Sequence, residues 1–214
     1  CDSLSTLNLT INPSTTSSST VTACDSLVWN GNTYTSSGTY VETITAVQTP
    51  QVGDFIEGGI VFWIDPSDNT KGLVCDVNNL PNSEWGCIGT AITGADGTAI
   101  ETGAQNTIDI VAGCTTTNTA ADRCANLSLN GYSDWFLPSK DELNQMYVNK
   151  VAINATAALN SGSDFIDGYH WTSSEYTNVM AWMQYFGDGH QTDNSKYFIA
   201  FVRAIRAYTV MIGG

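Results

Sequence analysis

Six cysteines are scattered along the 214 residues, and they constrain the fold more than any other feature of the sequence. No two of them form a Cys-x-x-Cys pair, and the only histidines are His170 and His190, so the ligand spacings of a zinc site are missing. An even, scattered set in a chain rich in Ser, Thr, Asn and Gly is typical of disulfides formed in an oxidising compartment. We therefore predict an exported protein. The cysteines are Cys1, Cys24, Cys75, Cys87, Cys114 and Cys124.

The charge balance narrows the classes of partner. Seven Lys and Arg residues stand against 21 Asp and Glu residues, which gives a formal net charge of -14. Such a chain repels nucleic acid and anionic lipid surfaces. No apolar run of about 18 residues or more occurs, so we predict no membrane insertion. The surplus of carboxylates fits either the solubility of an exported protein or a site for a divalent cation such as calcium.

A repeated tetrapeptide divides the chain. Cys-Asp-Ser-Leu occurs at residues 1–4 and again at 24–27, and the first copy leads into Leu7, Leu9 and Ile11, which alternate with polar residues as in a half-buried strand. The second copy precedes aromatic and β-branched residues interrupted by Asn-Gly and Ser-Gly turns, which is hairpin chemistry. From residue 51 onward the chain contains more Trp and helix-forming stretches. We predict a Ser/Thr-rich β-repeat segment over 1–50 and a second domain over 51–214.

The first segment resembles repeats of large adhesins on the surface of gliding bacteria. The resemblance rests on Trp29-Asn30-Gly31 and Ser37-Gly38-Thr39-Tyr40 and covers residues 1–47. It implies an all-β, Ig-like stalk in which cysteines lie near the ends of each unit. On that basis we favour a bridge from Cys1 to Cys24. The remaining cysteines would then pair locally, as Cys75 with Cys87 and Cys114 with Cys124.

The second domain alternates between strand and helix patterns. An apolar strand at 56–64 and another at 72–77 predict a hairpin, and helical spacing is found at 103–111 and 120–127. Ser139 and Glu142 have capping-box spacing, which predicts that a helix begins at this point. Strands follow at 169–174, 180–186 and 198–208, separated by turns at 187–189 and around 193–195. A hairpin, helices and a closing set of strands predict an α+β fold.

Five ordered motifs then resemble the C-terminal domain family of collagen-like proteins, the Lcl-type domains, within the C-type-lectin-like superfamily. The motifs are Gly58-Gly59-Ile60-Val61-Phe62, Asp134-Trp135-Phe136-Leu137-Pro138-Ser139, Trp171-Thr172-Ser173-Ser174-Glu175, Ala181-Trp182 and Val202-Arg203-Ala204-Ile205-Arg206. The resemblance implies that the strand at 60–64 pairs with the strand at 202–206. It also implies a ligand surface built from the residues after Trp171.

The candidate binding residues lie in and between the strands that follow Trp171. Aromatic rings supply contact area and polar groups fix the orientation of a ligand, so we expect a glycan or protein ligand. Trp182 also fits a core position, and alternation places it on one face with Gln184 while Met183 and Tyr185 share the other. The candidates are Tyr176, Asn178, Trp182, Gln184, Tyr185, Asp188, His190, Gln191, Asp193, Asn194 and Tyr197.

The sequence supports hydrolysis and calcium binding less well than it supports ligand binding. A hydrolase would need Ser173 or Ser174 beside a positioned base, and alternation turns His170 away from Trp171. Calcium could be held by Asp164 with Asp167, or by Asp188 with Asp193, although solvated loop carboxylates explain both pairs. The Glu-Pro-Asn and Gln-Pro-Asp loops of calcium-dependent lectins do not occur. We predict neither a catalytic residue nor a resident metal.

Two functions remain as hypotheses. The first is an extracellular adhesion module of the bacterial cell surface that binds its ligand through loops 174–197. The second is a subunit or cap of an extracellular filament, in which the 7–11 strand or the 208–210 segment completes the sheet of a neighbouring copy. Arg203 and Arg206 belong to the family motif, and we expect them to hold the closing strand by ion pairs or bonds to carbonyls. Two arginines are too few for a groove that binds a sulfated glycan on a chain with a net charge of -14.

Overall fold

A computed structural model describes residues 26–29, 32–35 and 49–210. The residues described before and after position 48 belong to two separate compact units. In the first unit, β1 (Leu27–Trp29) and β2 (Asn32–Tyr34) form an antiparallel hairpin with Val28 opposite Thr33, which confirms the predicted hairpin. The predicted Cys1–Cys24 bridge and the 7–11 strand lie outside the described residues.

Between residues 49 and 210 the chain forms nine strands and four helices, a mixed α and β fold. The strands are β3 (Phe55–Ile56), β4 (Gly59–Ile64), β5 (Lys71–Cys75), β6 (Leu80–Ser83), β7 (Tyr169–Glu175), β8 (Met180–Tyr185), β9 (Gln191–Ser195), β10 (Ala200–Val202) and β11 (Ile205–Thr209). The helices are α1 (Gly103–Gly113), α2 (Ala120–Ala125), α3 (Lys140–Val148) and α4 (Lys150–Leu159). None of the helices in the described ranges is long and apolar enough to cross a bilayer.

The closing strand joins a four-stranded antiparallel sheet in the order β11-β5-β4-β3. The prediction that it pairs with β4 is therefore wrong, because Arg206 lies opposite Val74 of β5. The reason is that β3 already pairs with the other edge of β4, with Phe55 opposite Ile60. With β4 paired on both sides, the closing strand pairs with the free edge of β5. The predicted hairpin of β4 and β5 is confirmed.

A five-stranded sheet in the order β6-β10-β7-β8-β9 carries the predicted ligand surface. Within it β10 runs parallel to β7, and the other pairs are antiparallel. The single strand predicted at 198–208 is two strands, β10 and β11, which belong to different sheets. The turn predicted around 193–195 is wrong, because these residues form β9 at the edge of the sheet, with Asp193 opposite Trp182.

The start of α3 follows from its sequence as predicted. Ser139 Oγ accepts a hydrogen bond from the N–H of Glu142, and Glu142 Oε2 accepts one of 2.6 Å from the N–H of Ser139. This reciprocal pair satisfies two N–H groups that a helix terminus otherwise leaves open. A second capping box, formed by Thr119 and Asp122, starts α2.

Two large hydrophobic clusters of buried residues and a smaller third one, formed by Val61, Val74 and Tyr208, hold the elements together. One surrounds Trp171 and Met183 of the five-stranded sheet and includes Trp135, and the other surrounds Ile60 and Phe186 beneath α3 and α4. Trp135 is only 2% exposed, as expected of a core residue at a helix start. The five-stranded sheet is thus covered on both faces, and its solvent-exposed parts are its loops and its edges.

The two motif arginines hold the closing segment, as the sequence predicts. Arg203 is buried and donates to the carbonyls of Asp76 over 2.8 Å and Ser163 over 3.1 Å. Arg206 forms a two-pronged ion pair with Asp134, at 2.8 and 3.1 Å, and donates to the carbonyl of Glu57 over 2.7 Å. Bonds of this kind leave both guanidinium groups occupied within the fold.

The disulfide prediction for the second unit is wrong. Cys87 is bonded to Cys114, with their Cα atoms 5.5 Å apart, and Cys75 and Cys124 are free thiols. The physical reason is location, since Cys75 lies in β5 and Cys124 in α2, and they face different core clusters. Burial raises the pKa of the Cys75 thiol to about 12, and that of Cys124 also rises. Neither thiol is therefore a reactive cysteine.

Candidate functional site

A buried ion pair anchors the end of β7 to the loop after β9. The Lys196 ammonium contacts the Glu175 carboxylate, and the two side chains are 0% and 9% exposed. Glu175 also accepts the N–H of Ile92 at 3.0 and 3.1 Å, and Lys196 donates to the carbonyl of Thr90 over 3.0 Å. The ammonium lies 4.3 Å from the ring centroid of Trp85. Every polar group of the pair is thus engaged.

The residue that follows each partner of this ion pair is an exposed tyrosine. Tyr176 follows Glu175 and is 54% exposed, and Tyr197 follows Lys196 and is 65% exposed. Their loops lie side by side, because the N–H of Lys196 donates to the carbonyl of Val179 over 3.0 Å. Val179, Phe198 and Ile199 are exposed as well. We call residues 176–179 and 197–199 the tyrosine loops.

Trp182 lies half-buried on the α3 side of the sheet. The Lys140 ammonium is 3.5 Å from its ring centroid, and the ring of Tyr176 meets it edge-on at 5.1 Å. An ammonium over an indole is a favourable electrostatic contact. Because Lys140 and Tyr176 already contact this ring, Trp182 supports the position of Tyr176 more than it offers a platform to a ligand.

The predicted site residues separate into three groups by exposure. The exposed ones are Tyr176, Asn178, Asp188, His190 and Tyr197. The half-buried ones are Trp182, Tyr185, Gln191, Asp193 and Asn194.

Gln184 is buried, and its prediction as a surface residue is wrong. Its Nε2 donates to Asn144 Oδ1 of α3 over 2.9 Å and to the carbonyl of Gly189 over 3.0 Å. Helix α3 covers this face of β8, and Met183 on the opposite face is buried in the core. At Met183 and Gln184, therefore, neither face of β8 is exposed to solvent.

The half-buried polar residues line the outer part of the sheet. Gln191 donates to the carbonyl of Lys140 over 3.0 Å, and Asn194 Nδ2 lies 4.0 Å from the sulfur of Met183. The ring of Tyr185 packs against that of Tyr169 at a tilt, with ring centroids 5.1 Å apart. These contacts hold the side chains in place while leaving part of each in solvent.

The sequence did not indicate that residues 87–92 form one wall of this site. The N–H of Gly89 donates to the carbonyl of Asn178 over 2.8 Å, and the Cys87–Cys114 disulfide fastens the same segment to the end of α1. No local pattern links segments so far apart in the chain.

The residues considered for hydrolysis do not come together. Asn106 donates to Ser173 Oγ over 3.1 Å, and Ser174 Oγ donates to the carbonyl of Gly97 over 2.6 Å. His170 is buried with its ring centroid 4.3 Å from that of Phe186, and burial lowers its pKa to about 3. These hydroxyls and this imidazole have structural contacts in place of a nucleophile–base contact.

Among the described residues, no three or more His, Cys, Asp or Glu side chains are arranged to hold a metal ion. Asp188 Oδ1 accepts the N–H of His190 over 2.9 Å, which gives this carboxylate a role in the turn. Asp193, its predicted partner for calcium, lies within β9. The geometry therefore assigns Asp188 to the loop backbone.

Comparisons with known proteins identify the family. No curated protein matches the chain. A fimbrial protein from Bacteroides ovatus ATCC 8483 is similar in structure, with 15% sequence identity and a TM-score of 0.46, over 78% of this chain. The similarity spans 46% of that protein, less than half of its length. The family model of the Lcl C-terminal domain matches residues 67–206, more than half of the chain, and this protein therefore belongs to the Lcl C-terminal domain family.

Proposed function

We propose that this chain is a non-catalytic, ligand-binding module of the bacterial cell surface with a C-type-lectin-like fold. In this proposal a glycan or protein ligand binds at the tyrosine loops. The observation that carries it is the arrangement of Glu175 and Lys196, which are buried, directly before Tyr176 and Tyr197, which are exposed. A fold that holds exposed aromatic rings on a rigid base reduces the entropy lost when a ligand binds.

The chemistry around the loops supports recognition of a polar ligand with some apolar surface. Tyrosine rings provide contact area and a hydroxyl group in one rigid side chain. Asn178 and Asp193 supply amide and carboxylate groups in the same region. Exposed apolar residues grouped in adjacent loops, as Val179 is with Phe198 and Ile199, mark interaction sites more often than isolated ones do.

An extracellular location is part of the proposal. The Cys87–Cys114 disulfide supports it, because disulfides persist in oxidising compartments. The net charge of -14 supports a ligand that is not a polyanion.

The test is binding of the full chain to a panel of immobilised glycans and extracellular proteins, in calcium and in a chelator. We expect a ligand whose affinity falls by about tenfold or more in the Tyr176→Ala/Tyr197→Ala double variant. Phe55→Ala removes a similarly exposed ring from the other sheet and serves as the matched control. Unchanged binding by the double variant would contradict the proposal.

The second candidate function, a filament subunit, is supported by the open edges of the two sheets. Among the described residues of the second unit, β3, β6, β9 and β11 each pair with one strand only. Residues 208–210, the predicted donor segment, also pair within the chain's own sheet, where Tyr208 is buried and the N–H of Val210 donates to the carbonyl of Thr70 over 2.8 Å. Size-exclusion chromatography over a range of concentrations tests this function. A strictly monomeric chain would rule out assembly by strand addition under those conditions.

A further inference from the structure

We propose a second binding site, for an acidic sugar, in a groove at the edge of the five-stranded sheet formed by β6. The groove has a volume of about 460 Å³ and lies between β6 and α2. Binding pockets for small molecules span roughly 300–1,000 Å³, so this groove has room for a sugar unit. None of its lining residues belongs to the tyrosine loops, so variants can test the two proposed sites separately.

Arg123 differs from the other cations of the chain. Six of the seven Lys and Arg side chains are occupied by contacts within the fold: Lys71 with Asp68, Lys140 with Trp182, Lys150 with the carbonyl of Phe186, Lys196 with Glu175, Arg203 with carbonyls and Arg206 with Asp134. Arg123 lines the groove, and only its Nε has a partner among the described residues, the hydroxyl of Ser83. Both Nη groups remain available to a ligand.

The geometry of a guanidinium group indicates the chemistry that it would bind. Two parallel N–H groups match the two oxygens of a carboxylate and form a strong, oriented pair. Asp122 lines the same groove, and its carboxylate caps α2 by accepting the N–H of Thr119 over 3.3 Å. This fixed negative charge beside Arg123 disfavours a second anionic group. The groove therefore suits a ligand unit with one carboxylate and not a densely sulfated chain.

The rest of the lining favours a sugar over an acidic peptide. Asn118 and Ser128 provide amide and hydroxyl groups, and Asn126 uses its Nδ2 on the carbonyl of Asp122 at 2.8 Å, which leaves its Oδ1 as an acceptor. Pro81 and Leu127 add apolar surface. Several hydrogen-bonding groups around a small apolar area suit the hydroxyls and the C–H face of a pyranose ring. The ligand class is therefore a uronic acid unit.

The experiment is a titration of the ¹⁵N-labelled full chain with sodium glucuronate, followed by amide chemical shifts. Glucose is the neutral match, and sodium acetate and an acetylated aspartyl dipeptide supply a carboxylate without the sugar. We expect saturable shifts in residues 80–83 and 117–128 with glucuronate, and much weaker shifts in the other three titrations. Equal saturation with glucose would overturn the role of charge, and equal saturation with the dipeptide would overturn the assignment to a sugar.

Variants connect the shifts to Arg123. Arg123→Gln should weaken glucuronate binding by about tenfold or more. Arg123→Lys keeps the charge but lacks the two parallel N–H groups, so its affinity should lie between that of Arg123→Gln and that of the parent chain. Lys71→Gln removes an exposed cation elsewhere and should change nothing. The spectrum of each variant reports whether it is folded. Parent-like binding by folded Arg123→Gln, or no saturable shift in the parent chain up to tens of millimolar glucuronate, overturns the proposal.

Discussion

Glu175 and Lys196 form an ion pair that is almost completely buried, and each is followed directly by a tyrosine that points into solvent. The desolvation of two charges is offset only when all of their hydrogen bonds are made, as they are here with Ile92 and Thr90. The arrangement links the stability of the fold to the position of the proposed ligand surface.

Lys196→Met should destabilise the protein by about 3–5 kcal/mol, because it leaves the Glu175 carboxylate buried without a cation. Urea unfolding followed by tryptophan fluorescence measures the change. Lys71→Met is the matched control, since the Lys71–Asp68 pair is exposed and should contribute little to stability. Equal losses of unfolding free energy in the two variants would show that the buried pair contributes no more to stability than the exposed pair.

The cysteine assignment predicts a specific alkylation pattern. Under native conditions no cysteine of the second unit should react with iodoacetamide, because Cys87 and Cys114 are bonded and Cys75 and Cys124 are buried. In denaturant without reductant, Cys75 and Cys124 should be labelled. Peptide mass mapping reads the result, and a peptide that links Cys75 to Cys87 would contradict the structure.

Removing the disulfide should cost stability without removing the fold. The bridge joins residues separated by 27 positions, and closing a loop of that size contributes about 3.5 kcal/mol in the chain-entropy description. The Cys87→Ser/Cys114→Ser variant should unfold at a lower urea concentration, and its free energy of unfolding should be lower by that amount. If the variant loses more free energy of ligand binding than of folding, the disulfide also positions residues 87–92, the wall of the proposed site.

His170 should make the protein less stable in acid. Its imidazole lies among Phe165, Phe186 and Phe201, and burial lowers its pKa to about 3. Below the ordinary pKa of 6.5 the unfolded chain binds a proton at this position that the folded chain does not bind. The contribution of His170 is therefore complete above pH 6.5 and is lost as the pH falls toward 3, by about 1.4 kcal/mol per pH unit.

Between pH 4.5 and 6.5, Glu142 changes the stability in the direction opposite to His170. Burial raises the pKa of its carboxyl to about 7, so its contribution is present below the unfolded value of 4.5 and is lost as the pH rises through 7. Comparing His170→Phe with the parent chain isolates the imidazole, because Glu142 is common to both. The parent should lose stability relative to the variant as the pH falls below 6.5. A difference that is independent of pH would contradict this account.

Gly103 should not tolerate a side chain. A Cβ at this position would clash with Glu142 Oε2 and lie 2.8 Å from the backbone nitrogen of Ser139, in the region where α1 and α3 begin. Gly103→Ala should therefore destabilise the fold despite the better helix propensity of alanine. Gly113→Ala, where the nearest atom is the flexible end of Ile92 at 3.3 Å, should be neutral or stabilise by up to about 1 kcal/mol. Thermal unfolding of both variants measures the contrast.

Local signals in the sequence predicted local structure correctly. The Ser139 and Glu142 spacing predicted the start of α3, because a capping box involves only neighbours in the chain. Alternation predicted most of β7 and β8 for the same reason. The polar strand β9 was missed, since its five residues show no apolar period and become a strand only by pairing with β8.

Long-range pairings could not be read from these patterns. The closing strand has the same apolar period whether it pairs with β4 or with β5, and the choice depends on which strands already flank β4 in the folded sheet. The cysteines gave a similar ambiguity, because spacing does not show which thiols the fold brings together. Gln184 was assigned to the surface because its polarity resembles that of its neighbours. Helix α3, which buries it, is distant in the chain.

The two unpaired thiols of Cys75 and Cys124 imply an order of events during maturation. While the chain is still unfolded, all of its cysteines are open to an oxidant, and a crosslink made at Cys75 or Cys124 would trap a segment that must enter the interior. The native pattern is therefore reached when the interior closes around these sulfurs before they are oxidised, or when thiol–disulfide exchange undoes such a crosslink. Timing, as well as chemical reactivity, then selects the bridge between Cys87 and Cys114 in the second unit.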